Sequence, residues 1–512
     1  MKIYIELIFL IILGSLTSLS LPPTNFIFIN FFTFSLFFLF LIKKSNQHKN
    51  IKLNFLYGWL FGFGYFVTNL YWISISLSFD QNFKYLIPIT VVIIPAFLSL
   101  FYGLTTFLFL ILKPKTIVSS VLFFSLVFGS VEFIRGSILT GFPWNLIAYS
   151  FLNQLEILSI TSIVGTYGFN LFCVTLFTCP TIYILRKNKL DVGFLIFLLI
   201  ITSIFYFNGV TYKKKFFEAE KKSYDYKIRA IGSNISLDRF YENVDPVLVI
   251  QDLIKISNPN LNEKIIFIWP EGILPDISQN ELKEYEWLFE KNFDENHLLI
   301  LGINSQSTIN GSKKFFNSLS VYDNELNLIN FYNKINLVPF GEFLPLENIL
   351  KNFGLKSITN NYQSFSSGDQ RDIIEIKNQN SLLRILPLIC YEIIYSGKLF
   401  NNFEFDLIIN ISEDGWFGQS IGPKQHFAHS IFRAIESGKY IVRSSNNGIT
   451  AIINPIGIAE EKVNFGDIGY VDFTESRKIQ PTTFSRYGNK IFGILILLYI
   501  FLIFSFNRIK NE

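Results

Sequence analysis

Charge is scarce in this chain. Of its 512 residues only 16% are Asp, Glu, Lys or Arg, against the roughly 25% usual in soluble domains. It has four histidines, one methionine and three cysteines. Three unclustered cysteines (Cys173, Cys179 and Cys390) make neither a disulfide framework nor a zinc site. No phosphate-binding glycine loop and no metal-ligand cluster is evident, so neither cofactor nor metal is expected. The net charge of +4 is small and spread out, which argues against a nucleic-acid partner. What abounds is apolar: half the residues are hydrophobic, 58 are phenylalanine, and mean hydropathy is +0.36.

The few charges are unevenly placed. Uncharged stretches run through 7–42, 54–79, 86–112, 116–131, 157–185, 192–210 and 491–507. A span needs about 20 apolar residues, and Leu21-Pro22-Pro23-Thr24-Asn25 divides the first stretch. About eight transmembrane helices follow: seven in 1–212 and one in 490–512, with a water-soluble domain at 213–489. A cleaved signal peptide is the alternative for the first, disfavoured because another apolar run follows at once. Lys43, Lys44, Lys49 and Lys52, then Lys113 and Lys115, Arg186, Lys187 and Lys189, and finally Arg508 and Lys510 follow alternate helix ends. By the positive-inside rule both termini are cytoplasmic and 213–489 lies outside, periplasmic in a Gram-negative cell. Lys213, Lys214 and Lys215 depart from the pattern, but they open a long translocated segment.

Within 213–489, strand-like runs at 264–270, 297–303, 317–323, 383–389, 405–411, 440–445 and 449–454 are interspersed with helical patterns such as 424–438. Apolar strands separated by helices point to a layered α/β domain. Three chemical residues sit at or just past the ends of such runs: Glu271 in Trp269-Pro270-Glu271-Gly272, Lys334 in Tyr332-Asn333-Lys334, and Cys390 in Leu388-Ile389-Cys390-Tyr391-Glu392. Singly, each reads as a core thiol or a solvated loop charge. Together they supply a nucleophile, a base for its proton and a cation for the oxyanion. A thiol attacks an acyl carbonyl as thiolate, and the resulting thioester reacts readily with an amine.

These strings resemble the nitrilase superfamily, and within it the apolipoprotein N-acyltransferases. The likeness extends to Lys334-Ile335-Asn336-Leu337-Val338-Pro339-Phe340-Gly341-Glu342, Asp414-Gly415-Trp416-Phe417-Gly418, Gln425-His426, Arg433-Ala434-Ile435-Glu436 and Asn446-Asn447-Gly448. In the apolar half it takes in Tyr71-Trp72 and Gly141-Phe142-Pro143-Trp144-Asn145, and near the end Pro481-Thr482-Thr483-Phe484. The resemblance implies an αββα sandwich for 213–489, with Glu271 as general base, Lys334 as oxyanion stabiliser and Cys390 as nucleophile. Glu342 would be a second carboxylate at the site, with Tyr391, Glu392 and Trp416 supporting it. It also implies a phospholipid acyl donor, a diacylglyceryl-lipoprotein acceptor and residence in the bacterial inner membrane. Anchoring such chemistry in the bilayer spares acyl chains a passage through water, about 0.8 kcal/mol per CH₂.

Four places depart from the family pattern: Glu413 where Asn is common, Gly415 where Ala is common, Arg239-Phe240 in place of Lys-Trp, and a loose strand-one motif at Ile231–Leu237. His426 and His429, three apart, read as packing or hydrogen-bonding residues rather than metal ligands. Tyr71, Trp72 and Trp144 read as interfacial aromatics, with a lipid portal as the alternative. Glu132 and Arg135 read as a salt-bridged helix end. Two rivals stand beside acyl transfer: a membrane-tethered amidohydrolase using the same trio, and a non-catalytic lipoprotein-binding protein.

Overall fold

The computed structural model describes residues 2–45, 50–242, 244–309, 311–345, 364–378, 381–399 and 404–508. Lys49 and Lys510, two of the orientation lysines, lie outside the described residues. The chain divides into two compact units. One comprises Met1–Ser74, Leu86–Lys215 and Pro481–Glu512, the other Ile75–Tyr85 and Phe216–Gln480.

The first unit is helical. Among the described residues six helical stretches are long and apolar enough to cross a membrane: Ile51–Ser78, Lys84–Leu112, Ile117–Arg135, Thr161–Thr178, Lys189–Glu218 and Lys490–Arg508. Lys2–Thr17 and Ile29–Ser45 are apolar but shorter, at 16 and 17 residues. Lys189–Glu218 and Lys490–Arg508 leave most of their apolar surface uncovered, including Leu199, Phe207, Leu497 and Phe501. Water would penalise such faces, and lipid does not. The 157–185 run is not one helix. Gly165 adopts φ +71° inside Thr161–Thr178, where a Cβ would lie 2.0 Å from the Phe484 ring, and Pro180 opens a new helix.

Two expectations meet their outcome here. Glu132 and Arg135 form a buried ion pair, and Arg135 also donates to the carbonyls of Phe142 and Trp144 (3.0 Å for the latter). Trp72 and Trp144 are not belt aromatics. Their rings pack 5.1 Å apart, and both are buried, because the 141–145 turn is pulled onto the helix ends by Arg135 and by Tyr65, whose hydroxyl donates to the Asn145 carbonyl (2.7 Å).

Among the described residues the second unit carries thirteen strands: β1 (Lys221–Ser233), β2 (Ile265–Ile268), β3 (Leu274–Ser278), β4 (His297–Ile309), β5 (Ser312–Tyr322), β6 (Leu328–Asn333), β7 (Ile374–Asn378), β8 (Ser381–Ile389), β9 (Leu407–Glu413), β10 (Tyr440–Asn446), β11 (Thr450–Ile453), β12 (Ala459–Val463) and β13 (Gly469–Arg477). Each expected strand run falls on one of them. The path β4-β2-β1-β10-β9-β8 is parallel, which fits near-continuous burial in β2, β9 and β10.

The sheet is a sandwich in one piece. β13 takes most of the second edge of β1, from Lys221 to Gly232, and β10 reaches β1 only at Gly232↔Ser445 and Ser233↔Asn446. On one side of that junction lie β6-β5-β4-β2-β1-β13 with β3 on β4; on the other lie β7-β8-β9-β10-β11-β12. Near β6 runs β7, and near β5 runs β8, so the halves face each other. Helix Pro246–Ser257 covers the first half through Val249, Ile250, Leu253 and Ile254, packed with Ile265, Phe267, Trp269, Leu299 and Leu301. Helix Gly422–Ser437 packs against β10 and β11. Helices outside and two sheet layers inside are the expected αββα order.

Candidate active site

Parallel strands end on one edge, and that edge gathers the chemistry. Glu271 follows β2, Lys334 follows β6 and Cys390 follows β8. All three are at least nine-tenths buried. The Glu271 segment lies flat across β4 because position 302 is glycine: a Cβ there would sit 2.4 Å from both the Glu271 Cα and the Pro270 carbonyl. Cys390 stands at φ +46°, between β8 and the short helix Cys390–Ile394. That left-handed conformation is costly for a residue with a Cβ, and it lifts the thiol out of the strand line.

Lys334 is the hub. Its ammonium donates to Glu271 Oε1 (2.9 Å) and to Glu342 Oε1 (3.0 Å). Asn317, on β5, donates to the same two oxygens at 2.7 Å each. The second oxygens take backbone donors: Glu413 N–H to Glu271 (3.0 Å) and Val338 N–H to Glu342 (2.8 Å). Burial alone would push the Lys334 ammonium down, but Glu271 and Glu342 outweigh it and hold it well above its ordinary range. Burial pushes the Glu342 carboxyl up, against the pull of Lys334. The two carboxylates thus share one ammonium.

The Cys390 thiol is held well above its ordinary value, by burial first and then by Glu271, while Lys334 works the other way. It therefore rests protonated and requires a neighbouring base. Ser412 donates to Asp414 Oδ1 (2.6 Å). Asp414 also receives Arg443 Nη2 (2.8 Å to Oδ2) and faces His426 Nδ1 (2.8 Å), while His426 Nε2 lies 3.3 Å from the Cys390 carbonyl. Burial raises Asp414, but Arg443 and His426 outweigh it and keep it ionised well below the usual carboxylate range. Cys390, Asp414 and His426 bring their ligand-type atoms within 4.8 Å of one another, a grouping the sequence spacing does not announce. The Asp414 oxygens are already engaged by Ser412 and Arg443, so the set is satisfied as hydrogen bonds. His429 is buried but not part of it.

Glu392 ties the Cys390 turn to the lysine loop. Its Oε1 accepts from the Tyr332 hydroxyl (2.6 Å), from Ile335 and Asn336 N–H (3.1 and 3.2 Å) and from Arg371, and its Oε2 from Ile389 N–H (2.9 Å). Tyr391 packs edge-on against Tyr395. Half-buried Trp416 meets Phe240 (5.0 Å between ring centres), Phe79 (6.0 Å) and Tyr241 (6.3 Å). Sequence reading missed Asn317. The available signal was a polar residue within Phe315-Phe316-Asn317-Ser318-Leu319, in a strand half otherwise buried.

Residues 13–179 match the family model for the apolipoprotein N-acyltransferase N-terminal domain, and residues 266–465 match that for carbon-nitrogen hydrolases. An apolipoprotein N-acyltransferase of Rickettsia prowazekii is 32% identical, with 98% of each chain covered. The chain belongs to the apolipoprotein N-acyltransferase family. One from Rhodopseudomonas palustris is 29% identical over 96% of this chain and 93% of its own. Among solved structures, Saccharomyces cerevisiae Nit3, a member of branch 10 of the nitrilase superfamily, aligns with TM-score 0.33 and 16% identity over 50% of this chain and 90% of that one. As a member of the apolipoprotein N-acyltransferase family with long apolar helices, the chain is an acyltransferase and a membrane protein.

Proposed function

We propose that this enzyme moves a fatty acyl group from a membrane phospholipid to the N-terminal amine of a diacylglyceryl-cysteine lipoprotein, through a thioester on Cys390. Glu271 takes the thiol proton as sulfur attacks the ester carbonyl. The C–S bond forms, the ester C–O bond breaks, and the proton passes to the departing lysophospholipid oxygen. The amine of the acceptor then attacks the thioester, C–N forms, C–S breaks, and an amine proton returns through Glu271 to the sulfur. Lys334 faces the oxyanion in both steps, the kind of interaction worth about 10²–10³ in rate. Glu342 and Asn317 hold Lys334 and Glu271 in register.

The observation that carries this reading is the position of Lys334, fixed between two carboxylates and coupled to the Cys390 thiol. Short-loop lysines and arginines support an inner-membrane enzyme with both termini cytoplasmic and residues 213–489 periplasmic. The carbon-nitrogen hydrolase match over 266–465 favours hydrolysis of a small amide as the second reading. Product analysis separates them. With phospholipid and a diacylglyceryl-cysteine peptide, acyl transfer yields an N-acylated peptide and lysophospholipid in equal amounts. Release of free fatty acid or ammonia without peptide acylation would favour the hydrolase.

A further inference from the structure

Glu413 and Arg239 lie 174 positions apart and form a buried ion pair. Both side chains are only 2% exposed. Each end of the pair touches something the chemistry uses. On the Glu413 side, its own N–H is the backbone donor to Glu271 Oε2 (3.0 Å), and its Oε1 accepts from Gly415 N–H (2.9 Å), next to Trp416. On the Arg239 side, the guanidinium also binds the carbonyls of Ile235 (3.2 Å) and Ser236 (2.7 Å) and stacks over Phe240, 4.6 Å from its ring centre. Phe240 in turn meets Trp416 and reaches within 3.5 Å of the Cβ position of Gly272, the residue after Glu271. Asn446 completes the joint, donating to Glu413 Oε2 (2.7 Å) and to the Ile235 carbonyl (3.0 Å).

We infer that Arg239 and Glu413 form one brace that positions the donor to Glu271 and the aromatic wall of Phe240 and Trp416 beside it. They are positioning residues for the acyl transfer proposed above, and the inference rests on that reading. Two buried charges are an expensive way to join two loops unless the joint must be held in one geometry. A hydrogen bond to a charged acceptor depends steeply on that geometry, so a slack brace is felt first at Glu271. The charged and titratable groups facing Glu271 are Lys334 after β6, Glu342 on the loop beyond it and Cys390 after β8; neutral Asn317 comes from β5.

Alanine at either position strands the other charge, so the test uses two gentler variants of the full chain in detergent. The double variant R239Q/E413Q removes both charges together. E413D keeps both charges and shortens the tether by one CH₂. Alkylation of Cys390 by iodoacetamide is followed against pH, with acyl loading from phospholipid measured beside it. A carboxylate that loses an N–H donor holds its proton more tightly. The acid limb of the alkylation profile therefore moves up by about one pH unit in the double variant and in the same direction in E413D. Acyl loading falls at least tenfold in the double variant. An acid limb unchanged from wild type in either variant that retains a cooperative melting transition overturns the brace. Alkylation needs no acyl donor, so this arm is read even if wild type takes up no acyl group, an outcome that would instead count against acyl transfer.

Discussion

Replacing Lys334 by methionine keeps the length of the side chain and removes its charge. In the wild type that ammonium is 1% exposed and contacts two carboxylates at 2.9 and 3.0 Å. Removing one member of a buried ion pair typically costs about 3–5 kcal/mol, and here the loss leaves Glu271 and Glu342 facing each other with Asn317 alone between them. For a unit of this size that corresponds to a fall of about 6–20 °C in melting midpoint at pH 7.5, from about 2–4 °C per kcal/mol. The deficit has a pH signature. Burial already raises the Glu342 carboxyl above its ordinary value of 4.5 against the pull of Lys334, and without that pull Glu342 ionises still less readily in the folded state. A group whose folded pKa is raised binds its proton in the fold while the unfolded chain has lost it, so stability returns as pH falls. The deficit should shrink between pH 7.5 and 5.5, by up to about 1.4 kcal/mol per pH unit for one proton. Differential scanning fluorimetry in detergent across that range is the assay. A deficit under about 1 kcal/mol, or one that stays constant with pH, would refute the view that Lys334 is the countercharge of the pair.

Three further outcomes follow from the same geometry. Asn317→Leu removes one N–H bond to each carboxylate, and a hydrogen bond to a charged group is worth about 1.5–3 kcal/mol; Cys390 acylation, followed by intact mass, should slow tenfold to a hundredfold. Asp414→Asn should lower the melting midpoint at pH 7, and the gap to wild type should close as pH falls below 3.8, because a carboxylate held below that ordinary value contributes stability above it and loses it on acidification. Glu392→Gln leaves Arg371 without its buried partner and should cost about 3 kcal/mol, read as a lower melting midpoint with Cys390 still alkylatable.

The gathering of Glu271, Lys334 and Cys390 at one edge was legible because each ends an apolar run, and strands running the same way deliver their ends to one edge whatever the details of the loops. Seven of the thirteen strands among the described residues, β2, β4, β5, β8, β9, β10 and β11, were legible from β-branched apolar stretches, with boundaries a few residues off; β3, β6, β7, β12 and β13 were not marked. β1 was seen only as a loose motif because its first half, Lys221–Lys227, is polar and mostly exposed, and its pairing with β13 breaks register between Ser223 and Ile228. Asn317 escaped because its role depends on two carboxylates 46 residues before it and 25 after it. Arg239 and Glu413 each stood out in the sequence as departures; that they meet is a fact of folding, invisible in a linear reading. Trp72 and Trp144 were misplaced for a related reason. Aromatics near helix ends usually face the interface, but Arg135 and Tyr65 draw the 141–145 turn inward and bury them.

The central claim is a covalent acyl group on Cys390, and intact mass tests it most directly. The purified chain incubated with phospholipid should gain one fatty-acyl mass, Cys390→Ala should gain none, and a diacylglyceryl-cysteine peptide should discharge the adduct as it becomes N-acylated. A folded wild-type protein that gains no acyl mass, or an adduct that persists on Cys390→Ala, would contradict the account.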